Sequence, residues 1–178
     1  MKLLEKILVA TNFGKDSDQT VQAAVSVAKT FNSEIILLYV IPEVSGFPTA
    51  VGNLKKKVTE RFQDIQSDIE KADVRVTETA MLSGVPFDQI VRYADQHDAN
   101  VIIMGAGEKS DDDPFRLGIT AEKVLRKASK PVWVVKPDAT MQISNILCPV
   151  DFSEPSARAL TNAIRLARSF QAKLTVLH

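Results

Sequence analysis

The chain has 178 residues, 45% hydrophobic and 25% charged, a composition typical of a globular domain with some surplus length. Its 22 basic residues balance its 22 acidic residues, so net charge favours neither nucleic acid nor an anionic membrane as a partner. The single cysteine, Cys148, excludes an internal disulfide and fits a reducing cytoplasm. Since no apolar run approaches the roughly 20 residues of a membrane span, we expect a cytoplasmic protein.

Short apolar runs alternate with helical periodicity along the first three quarters of the chain. Strands are predicted at 6–11, 34–41, 73–80, 100–104 and 131–135, and helices at about 21–31, 54–69, 90–97 and 118–128. The third run alternates apolar with polar residues, which is typical of a strand near a sheet edge. Gly46, Pro48 and Gly52 are typical of a loop.

This alternation predicts an α/β fold with a parallel sheet and helices on both faces. Ligands of such sheets lie beyond the carboxyl ends of the strands, where the strand order reverses.

Residues 146–178 repeat the pattern of residues 7–39 without a gap, at an offset of 139 (146 minus 7). Identical pairs include Phe13 with Phe152 and Ser17 with Ser156. Ser153 is a candidate helix cap. The predicted organisation is a domain at 1–137, a linker at 138–144 and the first strand–helix–strand of a second, incomplete domain at 145–178. Such a unit cannot bury its faces alone, so we expect it to pack against a partner copy, with exchange of elements as one route.

A strand, a glycine, a polar loop and a helix follow one another from Val101 to Lys127. This order can hold a phosphate, because the turn presents backbone N–H groups and the helix N-terminus carries partial positive charge. Gly105 and Gly118 equally fit a strand-end turn and a helix start without any ligand. The loop also contains Asp111, Asp112 and Asp113.

Two motifs resemble those of the universal stress protein family. ILVATNF, and more closely ILCPVDFSEPS, resemble the family's opening motif, and MGAGEKS followed by LGITAEKVLRKASKPVWVV resembles its closing motif. The resemblance covers residues 5–136 as one domain and 144–178 as the start of a second, as in the tandem type with the second domain truncated. It implies a three-layer α/β/α, adenine-nucleotide-hydrolase-like fold with a five-stranded parallel sheet in the order 3-2-1-4-5. Members are usually dimeric, and a subset binds ATP between the ends of strands one and four.

The resemblance also supplies candidate nucleotide-binding residues. ATP-binding members show Gly, two residues, Gly, nine residues, Gly and then Ser or Thr; here Glu108 occupies the second glycine position and Ile119 the hydroxyl position. Gly107 and Thr120 each stand one residue out of register. The resemblance implies an acidic residue that meets the ribose where this chain has Asn12, and the second copy keeps Asp151 there. Adenine is expected against Val40 and the loop near Ala10 and Thr11. The full candidate set is Ala10, Thr11, Asn12, Val40, Met104, Gly105, Gly107, Glu108, Gly118, Ile119 and Thr120.

The replacements in this loop argue against tight phosphate binding. Glu108 adds negative charge and lacks glycine's conformational freedom, and Ile119 cannot donate a hydrogen bond. Lys109, Arg116 or a divalent metal could offset part of the charge, but the aspartate run lacks alternating ligand spacing and is better explained as a solvated loop. We therefore predict a non-enzymatic binding or interaction module with a degenerate nucleotide loop and no certain cofactor.

Two alternatives remain open from the sequence. One is an ATP-binding regulator with slow hydrolysis that uses Asn12, Gly105, Gly118 and Thr120. The other is a flavodoxin-like electron carrier, which is weakened by the lack of an aromatic-rich flavin loop. No Ser/His/Asp set, paired carboxylates or Walker lysine motif is present in the sequence.

The predicted partner is a second copy of the chain. The fifth strand, Val132 to Val135, is apolar and predicts pairing at a sheet edge in a homodimer. No nucleic-acid or membrane partner is expected. Cys148, Trp133 and His97 are assigned structural roles.

Overall fold

The computed structural model describes residues 4–14, 17–42, 48–107, 117–137, 139 and 142–178; of residues 48–53 only the backbone is described. The chain divides into two compact units, Met1–Ala139 (unit 1) and Thr140–His178 (unit 2).

Unit 1 alternates strands with helices in the predicted order. The strands are β1 (Lys6–Thr11), β2 (Glu34–Pro42), β3 (Val76–Gly84), β4 (Val101–Gly105) and β5 (Val132–Val135), and the helices are α1 (Ser17–Phe31), α2 (Pro48–Lys71), α3 (Pro86–Gln96) and α4 (Ile119–Lys127). All strand pairs are parallel, and the sheet order is β3-β2-β1-β4-β5. This confirms the predicted fold and strand order.

The central strands are apolar on both faces because helices cover both. Leu8, Ile36 and Ile102 are fully or almost fully buried in a cluster with Ile90 of α3 and Val124 of α4. α1 and α2 pack on the other face of the sheet. Strand order reverses between β1 and β4, so the loops that follow these two strands diverge to opposite faces and leave a crevice.

Two element boundaries differ from the sequence prediction. β3 runs from Val76 to Gly84 instead of 73–80, because Asp73 adopts a φ of 60° and the N–H of Val74 donates to the carbonyl of Ile69 at 3.3 Å. These residues end α2 before the strand can begin. The predicted loop residues Pro48 and Gly52 lie within α2, where a proline is tolerated at the first turn. The predicted edge position of β3 is confirmed.

Unit 2 consists of β6 (Asn145–Pro149), α5 (Glu154–Phe170) and β7 (Lys173–Leu177), with β6 parallel to β7. Its backbone reproduces that of β1, α1 and the start of β2. Phe13 and Phe152 both have positive φ, at 54° and 62°. Ser153 caps α5 by accepting the N–H of Ser156 at 3.3 Å, as predicted. The sequence repeat is therefore also a repeat of local structure.

Candidate functional site

A cleft of about 920 Å³ opens at the carboxyl ends of β1, β2 and β4 in unit 1. Ten of the eleven candidate residues line it, namely Ala10, Thr11, Asn12, Val40, Met104, Gly105, Gly107, Gly118, Ile119 and Thr120. The eleventh, Glu108, and the Asp111–Asp113 run lie outside the described residues. The switch-point rule therefore located a real concavity in this chain.

One side of the cleft is apolar. β2 contributes Leu38 and Val40, and α3 contributes Pro86 and Ile90. The sequence argument missed further residues that line the cleft, which are Gly14, Ser17, Thr20, Leu38, Tyr39, Pro42, Pro86, Ile90, Ala121 and Pro137. The first residues of α3 could have been found, since α3 begins at the carboxyl end of β3 and parallel strands share that edge of the sheet.

The loop between β4 and α4 is closed at its base by two glycines. The N–H of Gly118 donates to the carbonyl oxygen of Ala106 at 2.7 Å. Gly107 has a φ of +95°, and a Cβ added there would lie 3.0 Å from the Cα of Gly118. Only glycine fits both conditions. Gly107 thus has a structural reason to stand one residue away from the position that the resemblance expects for a phosphate-binding glycine.

The N-terminus of α4 faces the cleft through Gly118, Ile119, Thr120 and Ala121. The first N–H groups of a helix have no intrahelical acceptor, and the N-cap residue Gly118 provides no side-chain cap. The side chain of Ile119 is 70% exposed, so an aliphatic group occupies the mouth of the cleft. The polar groups at the α4 end of the cleft are backbone N–H groups and the hydroxyl-bearing residue Thr120.

The loop after β1 carries Asn12. Its Oδ1 accepts the N–H of Gly14 at 3.0 Å and the hydroxyl of Ser17 at 3.2 Å. Phe13, held at positive φ, stacks on Tyr39 with ring centroids 4.9 Å apart. These contacts attach the loop to α1 and β2 and hold Asn12 exposed at the cleft.

Charged side chains are absent from the cleft lining, as far as the described residues go. The same part of the chain contains no group of three or more His, Cys, Asp or Glu that could hold a metal ion. What the described lining offers is an apolar wall at one end and hydrogen-bond donors at the other. Chemically, this combination suits a ligand with a flat apolar ring and a small anionic group.

The equivalent loop in unit 2 carries a carboxylate. Asp151 replaces Asn12, and its Oδ1 accepts the N–H of Ser153 at 3.0 Å. Hydrogen bonds from the side chain and the backbone N–H of Ser153, followed by the side chain of Ser156, lower the pKa of Asp151 to about 2. The loop geometry therefore accommodates either an amide or an ionised acid at this position.

A second polar cluster lies between β3 and α3. Glu78 accepts the hydroxyl of Tyr93 and lies 3.1 Å from Nδ1 of His97, whose ring stacks on Tyr93. Burial, then the hydrogen bond to Glu78, raises the pKa of Tyr93 above its ordinary value. His97 forms the C-cap of α3, while Pro86 and Ile90 near the other end of the helix line the cleft. This cluster fixes α3 against the edge strand.

Comparison with known proteins identifies the family. Its description is "Universal stress protein family", and it matches residues 4–136 and 142–178. Universal stress protein MJ0531 of Methanocaldococcus jannaschii is 33% identical over 143 residues, covering 75% of this chain and 83% of that protein. The chain belongs to the universal stress protein family. Universal stress protein MJ0577 of the same organism is 30% identical over 160 residues, covering 75% of this chain and 96% of its own length.

Solved structures share the fold. The structure of MJ0577 has a TM-score of 0.66 at 30% identity and covers 78% of this chain and 99% of that chain. A universal stress protein from Archaeoglobus fulgidus DSM 4304 has a TM-score of 0.81 at 23% identity, over 96% of this chain and 64% of that chain. One from Archaeoglobus fulgidus in complex with dAMP has a TM-score of 0.59 at 22% identity, over 76% of this chain and 100% of that chain.

None of the helices within the described residues combines the length and apolar character that crossing a membrane requires.

Proposed function

We propose that this universal stress protein is a non-catalytic stress-response module whose unit 1 binds an adenine nucleotide in the cleft. The observation that carries the proposal is that one cleft joins an apolar wall to the N-terminus of α4, where the N-cap residue Gly118 has no side chain to cap the helix. The base would lie against Val40 and Ile90. A phosphate would accept hydrogen bonds from the first N–H groups of α4. Adenine is the first base to test because the chain shares its fold with the relative solved with dAMP.

We expect weak binding of the phosphates, which distinguishes the proposed module from an enzyme that hydrolyses ATP. The described lining has no charged side chain to neutralise a triphosphate, and it has Ile119 at the position where the family resemblance expects a hydroxyl. Lysine, arginine or a bound metal usually provides the stabilisation that phosphoryl transfer requires. We therefore expect the second and third phosphates to add little affinity and ATP to remain intact.

The alternative is an ATP-binding regulator with slow hydrolysis. One observation favours it: Thr120 lines the cleft at the second residue of α4, so a hydroxyl is present close to the expected position.

Equilibrium dialysis with labelled AMP and ATP, with and without magnesium, distinguishes the two functions. The module predicts AMP and ATP affinities within about tenfold of each other, a difference of about 1.4 kcal/mol, and no phosphate release. ATP that binds over a hundredfold more tightly and releases phosphate would establish the alternative. Failure of either nucleotide to bind at millimolar concentration would overturn the proposed function.

For unit 2 we propose that it corresponds to the first strand–helix–strand of a second universal stress protein domain. The family match to residues 142–178 supports this. Leu147 and Leu177 are 61% and 54% exposed, whereas their counterparts Leu8 and Leu38 in unit 1 are fully buried. Further elements or a partner copy would have to cover them, and exchange of elements between copies remains a prediction.

We further propose that the chain forms a homodimer through β5. The strand lies at the edge of the five-stranded sheet, and within the described residues β4 pairs with one edge of β5 while no strand pairs with the other. An apolar strand with an open edge can pair with its symmetry mate. The cytoplasmic location expected from the sequence also stays a prediction.

A further inference from the structure

Asn12 lies in the middle of the cleft. The sheet order places β1 between β2, which carries the apolar residue Val40, and β4, which leads through Gly107 to α4. A nucleotide with its base on the β2 side and its phosphate at α4 has its sugar over the end of β1. Of the residues that follow β1, Asn12 lines the cleft with an exposed polar side chain, so it would face the sugar.

The orientation of the Asn12 amide follows from its partners. The backbone N–H of Gly14 can only donate, so the amide atom 3.0 Å from it must be the oxygen. The Ser17 hydroxyl also donates to this oxygen, at 3.2 Å. The oxygen of this exposed amide is therefore occupied, and among the described residues its Nδ2 group has no hydrogen-bond partner, so the N–H groups of Asn12 stay available to a ligand in the cleft.

Unit 2 provides the contrast within the same chain. Asp151 keeps the hydrogen bond from the backbone N–H of residue i+2 through Oδ1, and all remaining lone pairs of its carboxylate are acceptors. A carboxylate accepts hydrogen bonds from a sugar diol, whereas an amide whose oxygen is occupied does not. The two loops share a backbone conformation, but Asn12 offers hydrogen-bond donors and Asp151 offers acceptors.

We propose that Asn12 is a specificity-determining residue, which makes the cleft select nucleotides whose sugar carries a negatively charged phosphate ester over those with a free 2′,3′-diol. This inference rests on the proposed function, because it needs the nucleotide to lie with its sugar at Asn12. An N–H donor stabilises a phosphate oxygen through a charge-assisted hydrogen bond. A carboxylate in the same place repels the phosphate and favours the diol.

The test compares two ligands on two proteins. Titration calorimetry measures the Kd of AMP and of adenosine 3′,5′-bisphosphate for the full chain and for Asn12→Asp. The substitution is compatible with the loop, because Asp151 adopts the same hydrogen bond in unit 2. Gln22→Glu is the matched control, since it adds the same charge on an exposed position of α1 outside the described cleft lining.

The wild-type chain is expected to bind the bisphosphate roughly tenfold more tightly than AMP, and Asn12→Asp to reverse the order. Gln22→Glu is expected to keep the wild-type order. If both ligands bind but Asn12→Asp leaves their ratio unchanged, or if the wild type prefers AMP, the role of Asn12 is overturned and nucleotide binding stands. If neither ligand binds either protein, the proposed function fails together with this inference.

Discussion

A Cβ on Gly107 would lie 3.0 Å from the Cα of Gly118, so the two ends of the loop between β4 and α4 meet backbone to backbone. This contact positions the start of α4 at the cleft. The first N–H groups of the helix, which have no intrahelical acceptor, thereby acquire a fixed direction.

Gly107→Ala is expected to destabilise the fold by about 1–3 kcal/mol and to weaken nucleotide binding, because alanine resists the positive φ and collides with Gly118. Denaturant unfolding and dialysis measure the two effects. Gly105→Ala is the matched comparison, since among the described residues its Cβ would meet Thr20 Oγ1 alone, at 3.3 Å, and its effect should be smaller. Equal stability of both variants and wild type would contradict the contact's role.

Ile119→Ser is expected to raise the affinity for AMP by roughly three- to tenfold. The serine adds a hydroxyl donor at the first residue of α4, and one neutral hydrogen bond contributes about 0.5–1.5 kcal/mol. Because the Ile119 side chain is 70% exposed, the replacement should not weaken the core. Ile119→Ala separates the hydroxyl from the loss of the aliphatic group: a gain of the same size in the alanine variant would refute the explanation.

Tyr93 is expected to remain protonated well above pH 10. Its pKa is raised by burial and by the hydrogen bond to Glu78. A raised folded-state pKa means that the stabilisation is fully present below the unfolded value of about 10 and is lost as the pH rises through the folded value. The chain has two tyrosines, so the ultraviolet titrations of wild type and Tyr93→Phe isolate Tyr93. A normal ionisation without unfolding would contradict this environment.

Pairing through the open edge of β5 is tested by the backbone of Val134. The carbonyls of Pro131 and Val135 accept the N–H groups of Ile102 in β4 and of Ala106 just after it. Because backbone groups alternate in direction along a strand, the N–H of Val134 points to the other edge of β5. Val134→Pro removes that donor without breaking the β4 ladder and is expected to convert a dimer to a monomer in light scattering. Val134→Ala, which keeps the N–H, should remain dimeric; two variants with the same mass would exclude edge pairing.

Much of the fold was predictable from the sequence because burial dictates it. The continuous apolar runs of β1, β2 and β4 require two covering layers of helices, and the structure has them. The start of β3 was not predictable, since the alternation of residues 73–80 continues through the turn at Asp73 that ends α2. Gly52 reads as a loop residue by itself, yet it lies inside α2.

The residues of the candidate site were also predicted only in part. The switch-point rule and the family resemblance together predicted the ends of β1 and β4. Tyr39 and Ile90 were missed because their sequence pattern does not distinguish a cleft wall from a core. The orientation of the Asn12 amide depends on the N–H of Gly14 and the hydroxyl of Ser17. It therefore follows from the three-dimensional structure and not from the sequence.

The central claim is that the cleft of unit 1 binds an adenine nucleotide, and amide NMR during a titration with AMP tests it most directly. The account predicts concentration-dependent shifts at Asn12, Gly105, Gly107 and Thr120, with little change in the amides of unit 2. An unchanged spectrum at millimolar AMP, or shifts confined to residues outside the cleft, would contradict it.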